Sequence, residues 1–281
     1  MRIKNILSIF LILVIVTLSN LTAKAQDRQF ARTYQSNTLP KGATDIEAWA
    51  TWRTGREYYY NRLDTRLEFE VGLTDKLQTA LYFNTSYSAF GASIDTLGRI
   101  PDTSVSGIFH DSEFSVSSEW KWNIVNPSTH PFGFALYAEF GFSPGEFEIE
   151  NKLIFDKRTP KSIWALNLVN EYEIKFEVEA GETIKEWEDK VEIDLAYMFM
   201  LKTNFGLGME VVNSNEIEEG NWNYSALFGG PTLYYAGDNY FLILNLLPQW
   251  ANLHKTDDAP NNLVLNAQER MEIRFILGFS L

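Results

Sequence analysis

From Leu63 to Val71 the chain alternates. Leu63, Thr65, Leu67, Phe69 and Val71 fall on one side, and Asp64, Arg66, Glu68 and Glu70 on the other. In an extended strand successive side chains leave on opposite faces, so this pattern predicts a strand with one greasy and one charged face. The same period returns at the end of the chain. There Met271, Ile273, Phe275, Leu277, Phe279 and Leu281 oppose Arg270, Glu272, Arg274, Gly278 and Ser280. Between these segments the period-two pattern predicts about twelve strands, an even number as bacterial barrels use. They run over 43–54, 61–73, 77–90, about 109–125, 132–142, 148–155, 164–178, 191–199, 205–211, 222–235, 240–250 and 271–281. Polar stretches 91–107 and 251–262 and acidic stretches 180–189 and 213–221 read as loops.

The first residues carry a different pattern. Arg2 and Lys4 precede a nearly unbroken apolar run from Ile6 to Leu18, and Ala23-Lys24-Ala25 follows. That is the layout of a cleaved export signal over 1–25, with a mature chain beginning at Gln26. Residues 26–42 then form a periplasmic N-terminal extension, which either hangs in the periplasm or enters the lumen, and 43–281 the barrel. The longest later apolar run, Phe241 to Leu247, holds Asn245 and meets Pro248. It is too short for a transmembrane helix. An exported chain that spans lipid without helices must close its sheet, because lipid cannot satisfy a sheet edge. The expected fold is therefore an all-β, closed, antiparallel transmembrane β-barrel in a bacterial outer membrane.

The connections give a polarity. Those after even-numbered strands are mostly short, such as Thr74-Asp75-Lys76 and Lys202-Thr203-Asn204, while several after odd-numbered strands are longer and acidic. Outer-membrane barrels pair short periplasmic turns with longer outside loops. Outward Trp120, Trp122 and Trp164 fall near the expected periplasmic rim, and Trp52, Trp222 and Trp250 near the external rim. This is the arrangement of two aromatic girdles.

Composition narrows the partners. The chain has 37 acidic and 24 basic residues, and the signal removes three of the basic ones. So acidic a chain excludes nucleic acid as a partner, since binding would set carboxylates against phosphates. There is no cysteine, hence no disulfide framework and no thiolate chemistry. Aromatic residues make up 15% of the chain, which suits rings lining two membrane interfaces. The expected partners are outer-membrane lipid, the barrel-assembly machinery during insertion, and a small-molecule solute.

The signal, the even strand count, the turn Gly72-Leu73-Thr74-Asp75-Lys76-Leu77 and the final Phe279-Ser280-Leu281 resemble a Gram-negative outer-membrane β-barrel. More narrowly, the chain is similar to the porin-like barrels of phenol and aromatic meta-pathway degradation. Where many barrels end in an aromatic residue, this one ends in Leu281 with Phe279 two before it. The resemblance implies a channel or porin-like transporter for a small solute, aromatic or hydrophobic in kind.

The inward face is expected to be charged: Asp45, Glu47, Arg53, Arg62, Asp64, Arg66, Glu68, Glu70, Glu139, Glu148, Glu150, Lys152, Glu173, Lys175, Glu192, Asp194, Glu210, Arg270, Glu272 and Arg274. Two readings stand side by side. One is a water-filled, cation-favouring path. The other is a salt-bridged lumen that conducts nothing, as in a non-conducting structural barrel, because about twelve strands lie between filled and open bores. The rival class is a lipid hydrolase using His110 and Ser112, whose spacing puts both on the outer face near the external rim. No residue suitably placed to orient the imidazole accompanies them, so no catalytic residue is assigned. No metal or phosphate motif is present, and neither cofactor nor resident metal is expected. His130 and His254 fall in turns on opposite sides of the membrane.

Overall fold

A computed structural model describes residues 28–91, 107–179, 182–218, 220–257 and 259–281. The expected signal over 1–25 and nearly all of the expected loop over 91–107 lie outside the described residues. Twelve strands follow one another in order: β1 (Thr44–Thr54), β2 (Tyr60–Thr74), β3 (Leu77–Gly91), β4 (Ile108–Val125), β5 (Gly133–Ser143), β6 (Glu146–Arg158), β7 (Ser162–Glu179), β8 (Glu182–Lys202), β9 (Phe205–Glu218), β10 (Asn221–Ala236), β11 (Tyr240–Asn252) and β12 (Met271–Ser280). Each pairs antiparallel with its neighbours, and β1 pairs with β12, so the sheet closes.

The alternation sorts the two faces. On β2, Leu63, Leu67 and Phe69 are exposed, while Glu68 and Glu70 are buried. On β4, Trp120 and Trp122 are exposed, while Glu119 and Lys121 are buried. In a soluble protein this would be inside out. In a closed sheet it means a hydrocarbon-compatible exterior and a polar bore. This exterior and closure place the chain in a bacterial outer membrane.

Three features differ from the sequence expectation. The acidic stretches 180–189 and 213–221 are largely strand rather than loop. β8 begins at Glu182 and pairs with β7 up to Glu179↔Glu182, and β9 continues to Glu218. A ladder only needs backbone partners, so the charge of these stretches does not end the strands. Second, an inward acid lies beyond the alternation of β12. Arg270 is exposed just before β12, its backbone still bonded to Gly55 and Gln249, and its neighbour Glu269, 2% exposed, is buried against Arg53. Third, the segment before β1 does not lie outside the barrel. Its side chains and backbone contact inward residues of β3, β4, β6, β7, β9 and β12, which only a chain within the bore can do. The expected periplasmic extension over 26–42 is, over its described residues, a plug.

Candidate functional site

The bore is occupied in its periplasmic half by residues 28–42. Phe30, Ala31, Thr33 and Ser36 are almost wholly inaccessible. This segment forms neither helix nor strand, so its backbone needs side-chain partners. Glu210 supplies the chief one. Its carboxylate accepts the N–H groups of Ala31 (2.9 Å), Arg32 (2.7 Å) and Thr33 (2.9 Å), and also the Thr232 hydroxyl (2.8 Å). Asn167 accepts from Tyr34 N–H at 2.6 Å and donates back to its carbonyl at 3.0 Å. Asn123 donates to the Ser36 carbonyl, and Gln78 accepts from Leu39 N–H. Two glycines make room. A Cβ on Gly72 would fall 2.2 Å from the Pro40 carbonyl oxygen, and one on Gly133 would fall 2.1 Å from Ser36 Oγ. Gly72 is the glycine of the turn motif noted in the sequence.

Cations of the segment bind acids on both sides of the β1–β12 seam. Arg28 pairs with Glu47 at 3.5 Å. Arg32 reaches Glu192 at 3.2 Å and Glu272 at 3.6 Å. Trp49, inward and 7% exposed, forms an aromatic floor. Its Nε1–H donates to Glu47, and the guanidinium groups of Arg28, Arg66 and Arg274 all lie within about 5.5 Å of its ring centroid. The parity of β1 marks Trp49 as inward. Its role was missed because the cations that cover it come from distant segments.

The other inward charges fall into two groups. Around the external half of β1 and β2, Arg53 holds Asp64 and Glu269 at 2.8 Å each and Glu272 at 3.4 Å. Arg62 pairs with Asp64 at 2.6 Å, and Arg66 with Glu139 at 3.3 Å. The seam register sets Arg53 opposite Glu272 and Arg274 opposite Thr51, so Arg274 stands away from Asp45 and Glu47. The second group is a row of directly opposed residues that climbs the tilted wall: Asp45, Glu70, Ala80, Glu119, Glu139, Glu150, Glu171, Lys190 and Glu216. It starts beside the periplasmic end of β1 and ends beside the external end of β9. Lys152 pairs with Glu150 at 2.9 Å, and Lys190 lies 3.0 Å from Glu171 and 2.7 Å from Glu173. Asp194 is buried two positions from Glu192 on β8.

The remaining sector is apolar. On β9, β10 and β11 the inward residues Val212, Tyr224, Ala226, Phe228 and Leu247 form a cluster, and Val264 from the connection between β11 and β12 is buried on it. Val264 N–H donates to Gln249 Oε1 at 2.6 Å, and Gln268 hydrogen-bonds to the Tyr224 hydroxyl. This connection thus folds back over the external mouth. Behind the cluster the wall is irregular. The β10–β11 ladder is interrupted between Phe228↔Gln249 and Thr232↔Asn245. Pro231 and Pro248 sit in the gap and have no N–H to give. On the outer face, Met209, Gly229, Pro231, Pro248 and Trp250 line a dent of about 340 Å³.

The outward tryptophans Trp52, Trp120, Trp122, Trp164, Trp222 and Trp250 are each 43–52% exposed. His110 and Ser112 are exposed on β4, with His110 stacked on Tyr87 and its Nδ1 2.6 Å from the Tyr87 hydroxyl. That contact occupies the nitrogen a triad would use to orient the ring.

Residues 22–281 match the model of DUF6662, a family of unknown function, and the chain belongs to that family. No curated protein matches it. Among solved structures it is similar to the COG4313 outer membrane channel from Pseudomonas putida F1, with 12% identity and a TM-score of 0.59, over 90% of this chain and all of that one. It is similar to the NanC porin at 12% identity and a TM-score of 0.53, over 84% of this chain and all of that one. The β domain of the Bordetella autotransporter BrkA gives 9% identity and a TM-score of 0.53, over 86% of this chain and all of that domain. At such identities the likeness is one of fold, and the fold is that of outer-membrane barrels.

Proposed function

We propose that this protein is an outer-membrane transporter for a small solute with a largely apolar surface, an aromatic compound fitting best. The observation that carries this reading is the apolar cluster under Val264, set against the interrupted β10–β11 wall. An acidic bore alone would suit cations and reject an apolar solute. Here most of the acids line β1 to β8, with Glu210 and Glu216 on β9 and Glu272 on β12, while the apolar residues cluster on β9 to β11, so an apolar surface stands beside the acidic one. A solute entering under the β11–β12 connection meets a greasy vestibule and a thin place in the wall, with lipid beyond. The six outward tryptophans act as interfacial anchors, and the plug over residues 28–42 keeps ions from following. Two of the structurally similar proteins are described as a channel and a porin, which agrees with this reading.

The test is uptake of a labelled monoaromatic compound by porin-depleted Gram-negative cells, whose outer leaflet resists apolar solutes. Cells bearing the barrel should take it up several-fold faster than cells without it. Val264→Asp should remove most of that gain at equal barrel abundance, because a carboxylate buried on the vestibule is costly. Equal uptake with and without the barrel overturns the proposal.

A further inference from the structure

Under the plug, three carboxylates meet with room for something between them. Glu68 and Glu70 stand two apart on β2 and both turn inward. Glu119 stands on β4, two strands away. Between them the register places Ala80, opposite both Glu70 and Glu119. An alanine there leaves a gap across which the longer acids converge. One carboxylate oxygen from each of Glu68, Glu70 and Glu119 lies within 4.8 Å of the other two, and all three residues are buried.

Cations border the group: Arg28 faces Glu68 and Glu70 while pairing with Glu47, Arg66 faces Glu68 while pairing with Glu139, and Lys121 faces Glu119. Glu119 also accepts from the Tyr82 hydroxyl. Glu68 is different. It is 0% exposed, and neither of its carboxylate oxygens has a hydrogen-bond partner among the described residues. A carboxylate removed from water with no hydrogen bond to either oxygen is costly even beside Arg28 and Arg66, so a ligand that binds both oxygens is favoured there.

The geometry points to a calcium-binding site formed by Glu68, Glu70 and Glu119. All its ligands are hard oxygens, which excludes a preference for softer metals. Calcium bonds oxygen at 2.3–2.6 Å, so oxygens on opposite sides of one ion stand up to roughly 5 Å apart. Magnesium dehydrates reluctantly and keeps several waters, which three buried carboxylates suit poorly. The ion would also underpin the plug. Gln78 accepts the Leu39 N–H at 2.8 Å, and its amide points toward Glu119 at 3.5 Å.

Equilibrium dialysis of the detergent-folded barrel, stripped with EDTA and titrated with radioactive calcium, tests this. The wild type should retain one ion. Glu68→Gln should bind at least tenfold more weakly. Glu148→Gln, in the separate acidic group with Glu146 and Glu173, should bind as wild type does. A wild type that retains no calcium, or a Glu68→Gln barrel that binds as tightly as wild type, overturns the assignment. Should Glu68→Gln fail to fold, wild-type crystals soaked in terbium decide the matter. Anomalous density among Glu68, Glu70 and Glu119 supports the site, and density only elsewhere overturns it.

Discussion

At the scale of single residues, Glu210 matters most to the filled bore. Three successive backbone N–H groups of the plug converge on its carboxylate. Truncating it to alanine leaves these donors buried and unpaired, which should cost about 3 kcal/mol of plug docking, or roughly a hundredfold in its seated fraction. Trypsin should then cut the folded Glu210→Ala barrel at Arg28 or Arg32 much faster than wild type. Glu210→Gln, which keeps an acceptor, should fall between the two. Unchanged cleavage would remove Glu210 from this role. The inward position of Glu210 is legible in the alternation of β9, since Leu207, Met209 and Val211 fix its parity. What it holds is not legible, because its partners lie some 180 residues earlier in a stretch with no period at all. Glu269 is the opposite case: it is buried and paired with Arg53 although it precedes β12, where the alternation of the strand does not reach.

At the scale of elements, the strands were readable and the plug was not. Alternation marks a strand because lipid and water demand different faces on neighbouring residues. Residues 28–36 meet protein on nearly all sides, and nothing in their order announces it. The strand ends at β7–β8 and β9–β10 were misplaced for a related reason, since hydrophobicity fades above the membrane while hydrogen-bonded pairing goes on. The turn glycine Gly72 carried a signal whose cause only the three-dimensional arrangement explains, namely the Pro40 carbonyl resting on it. Deleting residues 28–40 should leave the twelve-strand ladder intact and open an aqueous path. In planar bilayers the truncated barrel should carry steady current where the full chain carries little. Because acids dominate the exposed bore, that current should favour cations. Equal conductance of the two proteins would mean that the constriction lies elsewhere, under the β11–β12 connection.

At the scale of the whole molecule, closure is the dominant fact. Every strand has two partners, the edge pair β1–β12 runs from Asp45↔Ser280 to Thr54↔Met271, and large apolar side chains face outward around the ring. Such a cylinder has no free edge, and exposing one requires breaking a strand pair. The folded protein should therefore need detergent to stay dispersed, and unboiled samples should migrate differently on gels from boiled ones. Identical migration would contradict a closed barrel. Fold class was legible because it follows from period-two patterning. The division of the bore into acidic and apolar sectors was not, because it depends on which residues of distant strands share a level.

Gly42, with φ of +81°, sits where the plug turns to become β1. Above that pivot, the described ties of residues 28–36 to the wall run through side chains, and none of them belongs to the ladder. The stopper over residues 28–36 can thus be drawn out toward the periplasmic side, contact by contact, without unzipping a single strand of the vessel it closes.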